Sequence, residues 1–123
     1  MQAATDPDRE HPVPESWRPT LRAIVDALVE GDYELSRGVP NVAPVRTDTA
    51  KHMRDYVADY GESLIALPAE AWTTSVSSRT RTGWNVLVDL WTQESGRSDM
   101  VLDLRAFEVD DVVQFEVYLI YVP

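Results

Sequence analysis

The chain contains no cysteine. That excludes disulfides, thiolate nucleophiles and cysteine-ligated zinc, and it matches the usage of a reducing cytoplasm. Basic residues are also scarce: 11 Lys and Arg face 21 Asp and Glu among 123 residues, for a formal charge of −10. Nucleic-acid binding depends on a basic surface that releases phosphate counterions, so this function class is excluded. No apolar run approaches the ~18 residues of a membrane span. No basic-then-apolar segment opens the chain, so a signal peptide is not expected and the expected location is cytoplasmic. Histidine occurs twice, at His11 and His52, and neither lies in a metal-ligating spacing such as H-E-x-x-H. No metal and no cofactor is expected.

The stretch from Trp84 to Val122 organises the sequence. Three runs rich in β-branched and aromatic residues are separated by Gln93–Ser98 and by Glu108–Asp111, two polar turn signals. Side chains alternate along a strand, so residues two apart share a face. One face collects Trp84, Val86, Val88 and Leu90, then Met100, Leu102, Leu104 and Ala106, then Val113, Phe115, Val117 and Leu119. This alternation predicts a three-stranded antiparallel meander with that face buried. A more polar run, Trp72 to Thr82, predicts a fourth strand at the sheet edge.

Upstream, residues 1–15 are polar and punctuated by Pro12 and Pro14, and they read as a flexible arm. Trp17, Leu21, Ile24, Val25 and Leu28 recur at helical spacing, with Ser16 as a candidate cap and Gly31 as a stop. Residues 32–46 form a long linker broken by Gly38, Pro40, Asn41 and Pro44. Thr47 or Asp48 opens a second helix striped by Met53, Tyr56, Val57 and Tyr60 and ended by Gly61. Residues 63–68 fit either a short strand or a helical turn. The expected fold is α+β: two helices, then a four-stranded antiparallel meander, with the helices on one face. It forms one domain over residues 16–123.

Two segments carry a resemblance. Tyr60-Gly61-Glu62-Ser63-Leu64 with Leu67-Pro68, and Trp84 to Thr92 with Glu94-Ser95-Gly96-Arg97-Ser98-Asp99, resemble a family of small bacterial proteins of unknown function. The resemblance implies a helices-then-meander domain and brings no activity, cofactor or partner. In size and acidity alone the chain is also similar to immunity proteins that neutralise bacterial toxins.

Three sets of candidate residues follow from the strand pattern. The face opposite the core holds Leu87, Trp91, Val101, Phe107, Tyr118 and Ile120, more large apolar groups than a wet face should carry. Leu87, Trp91, Phe107, Tyr118 and Ile120 are therefore expected to form an interface. Asp89, Asp103 and Glu116 share that face and would form a carboxylate row if register aligns them, with Arg105 nearby. Paired carboxylates can do general acid–base chemistry, whereas the plainer reading is a solvated face. The polar hairpin around Gly96 brings together Glu94, Arg97, Ser98 and Asp99, which either contact an anion, a peptide or a weakly held cation, or satisfy one another through Arg97 pairing with Glu94 or Asp99.

The sheet half is also the acidic half: residues 84–123 hold eight acids against two bases, net −6. A basic protein partner or a second copy of the chain is the expected partner, with no nucleic acid and no membrane. A non-enzymatic interaction protein is the leading reading. The alternative is a small hydrolase or ligand-binding domain whose pocket would be lined by Arg105, Asp89, Asp103 or His52.

Overall fold

The computed structural model describes residues 9–123. Its elements run β1 (Glu10–Pro12), α1 (Arg18–Val29), α2 (Thr47–Tyr60), β2 (Val76–Arg79), β3 (Trp84–Thr92), β4 (Gly96–Val109) and β5 (Val112–Tyr121). Single turns of 3₁₀ helix, Glu15–Trp17 and Ala69–Thr73, precede α1 and β2. The five strands form one antiparallel sheet in chain order. Among the described residues no helix is long and apolar enough to cross a membrane.

The fold is the expected α+β class, but the sheet has five strands rather than four. The additional strand comes from residues read as a flexible arm. Residues 1–8 of that arm lie outside the described residues; its remainder pairs His11 with Ser77 and Pro12 with Val76. Val13 is buried, and the Arg18 guanidinium donates to its carbonyl at 3.0 and 3.2 Å. Consequently β2 is an inner strand, not an edge. It is also shorter than the run from Trp72 to Thr82: Trp72 belongs to the 3₁₀ turn and is buried, with Arg18 and Arg22 over its ring.

Leu21, Ile24, Val25 and Leu28 of α1, with Ala50, Met53 and Val57 of α2, join Val86, Val88, Leu90, Met100, Leu102, Leu104, Phe115 and Val117 in one buried cluster. Trp17 meets both Trp84 and Phe115 edge-on, at centroid separations of 5.2 and 5.6 Å. Gly61 closes α2 in the left-handed conformation, φ 87°, where its N–H bonds the Val57 carbonyl. Neither helix has a side-chain N-cap hydrogen bond; Pro19 sits in the first turn of α1 and Asp48 in that of α2.

Residues 63–68 form neither a helix nor a full strand. Leu64 makes an isolated bridge to Thr92, and Ile65 N donates to Trp91 O at 2.9 Å, so this segment continues the sheet beside the end of β3. The long linker does comparable work at the other edge. Phe115 N donates to Asn41 O at 2.8 Å and Ala43 N donates to Phe115 O at 3.0 Å, which covers part of the open side of β5.

The turn between β2 and β3 depends on Gly83. A Cβ there would stand 2.1 Å from the Ala106 carbonyl oxygen, a backbone atom that cannot swing away. Gly83→Ala is expected to cost roughly 1–3 kcal/mol through this clash. Urea denaturation of the variant checks it, and an unchanged midpoint would refute the close approach.

Candidate functional site

Strand register decides which side chains share the face opposite the core. Leu87 stands across from Asp103, Asn85 from Arg105, and Asp89 from Val101; on the other side of β4, Arg105 faces Glu116, Phe107 faces Gln114, and Asp103 faces Leu119. Register shifts between Asp103 and Leu104, where Leu104 pairs with Val117, leaving Tyr118 as the bulged residue. The extra residue reverses the parity of everything beyond it. Ile120 therefore pairs with Leu102 and is fully buried in the core, while Leu119 turns to the second face. Both were expected on the opposite sides.

Of the five expected interface residues, Leu87 and Phe107 are half-buried on the second face and outside the core cluster. Tyr118 is 55% exposed. Trp91 faces Arg97 across the ladder but packs against the core cluster, its indole lying over Gly96. Ile120 is excluded by the bulge.

The carboxylate row does not form, because no two of Asp89, Asp103 and Glu116 stand directly opposite each other. Each carboxylate has a separate setting. Asp89 accepts a hydrogen bond from the Thr74 hydroxyl, and its backbone N–H donates to Ser75 Oγ at 3.0 Å. Glu116 is exposed, and its carboxylate has no hydrogen bond or ion pair among the described residues. Asp103 is only 7% exposed. It accepts from Arg105 Nη1 and, at 3.3 Å, from the Tyr121 hydroxyl. Burial, and then the Asp103 carboxylate, push the Tyr121 phenol up from its ordinary value, so the phenol keeps the proton it donates. The Arg105 guanidinium lies 4.3 Å from the Tyr118 ring centroid.

Two clefts flank this group. One, of about 160 Å³, is lined by Val76, Ser78, Asn85, Leu87, Asp103, Arg105 and Tyr121. The other, of about 720 Å³, lies between the Thr80–Thr82 turn and β4 and includes Asn85, Arg105, Phe107, Glu108 and Glu116. Arg105 and Asn85 belong to both. His52 is exposed on α2 and lines neither. Among the described residues no three His, Asp or Glu side chains gather in a way that could hold a metal ion.

The polar hairpin is satisfied by different partners from those expected. The Ser63 backbone N–H and hydroxyl donate to the Glu94 carboxylate at 2.8 and 3.2 Å. Reciprocally, the Thr92 and Ser95 hydroxyls donate to the Glu62 carboxylate at 2.7 and 2.8 Å. Ser98 Oγ donates to Leu90 O at 2.8 Å, and Asp99 N donates to the Tyr60 hydroxyl at 3.2 Å. Arg97 pairs with neither Glu94 nor Asp99; it is exposed and lines a shallow cleft with Glu70, Thr73, Thr74 and Trp91. Thus Tyr60–Leu64 and Glu94–Asp99, far apart in sequence, lock the β3–β4 turn to the end of α2.

The Ser63 N–H, and then its own backbone N–H, hold the Glu94 carboxyl below its ordinary value of 4.5. A depressed folded-state value contributes stability that is present above the unfolded value and lost as pH falls through the folded one. Stability should therefore decline below about pH 4.5, and Glu94→Gln should flatten that acid limb. Thermal midpoints of both proteins across the acid range check this; parallel acid limbs would remove Glu94 as a contributor.

Sequence reasoning placed Arg105 near the acids but missed Tyr121 and Asn85. Tyr121 follows the bulge, so its parity is misleading; Asn85 has the second-face parity but is one polar residue in an apolar run. No curated protein and no solved structure matches this chain. A family model described as a domain of unknown function, DUF7668, matches residues 25–123, from within α1 through all of α2 and β2 to β5. The chain belongs to this DUF7668 family, whose description names no activity, ligand or partner.

Proposed function

We propose that this protein is a non-enzymatic binding domain that presents the second face of its sheet to a basic protein partner. One observation carries the reading: Leu87, Phe107 and Leu119 lie on that face only half-buried, and none of them joins the core cluster. In this reading α1 and α2 cover the other face, which is supported by the cluster they share with Val86, Leu102 and Leu104. Apolar groups left outside a core, with an aromatic at 55% exposure among them, suit an interface more than a solvated surface.

Charge selects the partner. Eight acids against two bases in residues 84–123 would make two copies repel, whereas a basic partner is drawn in and oriented. An immunity-like role, with an acidic domain masking a basic toxin, is one form of this reading.

A photo-crosslinking residue at position 118, with a control at exposed Val29, tests it in the cell of origin. The expected result is a basic protein captured from position 118 and not from 29. Its affinity, measured with purified components, should fall at least about tenfold with Tyr118→Ser or Phe107→Ser and weaken with salt. Capture of a second copy, with sedimentation that depends on protein concentration, would replace the basic partner by a homodimer. A concentration-independent monomer with no capture at 118 would end the reading.

A further inference from the structure

Arg105 and Glu116 face each other directly across β4 and β5, on the same side of the sheet. Opposite charges in that position ordinarily interact. Here they do not: the Arg105 guanidinium turns to the buried Asp103 and stacks on Tyr118, and its one ion pair among the described residues is with Asp103. Of the guanidinium nitrogens only Nη1 donates to Asp103, and Nη1 also reaches Leu104 O at 3.4 Å. The Nε–Nη2 edge has no protein partner among the described residues, and that edge is the fork that takes a carboxylate through two parallel hydrogen bonds. The guanidinium is thus held from one side and open on the other.

Arg105 lines the cleft of about 720 Å³, a volume within the range of small-molecule sites. Asn85, across from Arg105 on β3, adds an exposed amide with no hydrogen bond among the described residues. Phe107 supplies an apolar wall. The charged groups facing the cleft are Arg105, Glu108 and Glu116, with Asp103 behind Arg105 and already paired with it. A purely anionic ligand would meet Arg105 but be repelled by two carboxylates, and a purely cationic one would leave the guanidinium edge unused. A molecule carrying both charges close together satisfies both.

We propose that this cleft binds a free α-amino acid, its carboxylate on Arg105 and Asn85, its ammonium on Glu116, and its side chain against Phe107. The ligand bridges the pair of opposite charges that the strands set face to face but leave apart. Phe107 favours an apolar or aromatic side chain. Asp103 holds the guanidinium in place, Tyr121 supports Asp103, and neither touches the ligand.

Titrating the isotope-labelled full chain with L-phenylalanine, followed by amide NMR, tests this. Saturable shifts are expected at Asn85, Arg105, Phe107 and Glu116. 3-Phenylpropionate, which lacks the ammonium, and phenethylamine, which lacks the carboxylate, should each bind at least about tenfold more weakly. Glu116→Gln, at an exposed position that cannot disturb the core, should weaken phenylalanine by about tenfold while leaving 3-phenylpropionate no weaker. Asn85→Ala should weaken both carboxylates. The absence of saturable shifts with millimolar phenylalanine, leucine and serine would overturn the proposal, as would equal binding of phenylalanine and 3-phenylpropionate or undiminished binding by Glu116→Gln. No partner protein is present in the titration, so its outcome is independent of the crosslinking result.

Discussion

Replacing Phe115 by alanine is expected to destabilise the protein by roughly 3–5 kcal/mol, the range of core aromatic truncations. Phe115 is 3% exposed and lies among the buried side chains of both helices and three strands. It is also the end ring in a chain of three aromatics, meeting Trp17, which in turn meets Trp84. Its backbone holds Asn41 and Ala43 of the long linker on the sheet edge. Removing the ring opens a cavity that the surrounding sheet cannot collapse into, because the ladder hydrogen bonds on either side hold the strands apart. Urea unfolding followed by tryptophan fluorescence would give the change in midpoint and slope. A loss below about 1 kcal/mol would mean that the Trp17–Phe115 contact is not part of the stable core.

The second large effect concerns Arg105→Ala, which leaves the Asp103 carboxylate without its cation at a site only 7% exposed. Breaking a buried pair from one side typically costs about 3–5 kcal/mol, because the remaining charge has lost both water and partner. The Arg105 side chain is 36% exposed, so solvent already screens part of this pair, and Tyr121 still donates to Asp103. The expected loss is therefore about 2–3 kcal/mol. The double replacement Asp103→Leu with Arg105→Met should recover most of it, since apolar groups of similar volume cost no desolvation there. A double-mutant cycle in urea separates the two effects. If the double variant were less stable than Arg105→Ala, the pair would contribute net stability to the fold. A recovered double variant would show instead that the charges are kept for something other than stability, as a binding site requires.

Much of the sheet was determined by the sequence itself. The alternation from Trp84 to Leu90, from Met100 to Ala106 and from Val113 to Val117 assigns each side chain to the face it occupies, because a strand's period of two allows no other arrangement when one face is buried. The stripes on α1 and α2 are legible for the same reason at a period of 3.6. Only the tertiary structure decided the rest. Nothing local marks Tyr118 as a bulge, yet that one residue exchanges Ile120 and Leu119 between core and surface and brings Tyr121 to Asp103. The strand Glu10–Pro12 is three residues long, too short to carry a pattern, and exists because Ser77 and its neighbours, more than sixty positions away, offer it an unpaired edge. Arg97 had two acids close by in sequence but pairs with neither, and the Glu94 carboxylate accepts from the Ser63 N–H and hydroxyl instead. Proximity along the chain suggests a salt bridge, but fixed backbone N–H groups and hydroxyls delivered by another element compete for the same carboxylate with less entropy to lose than a long arginine side chain.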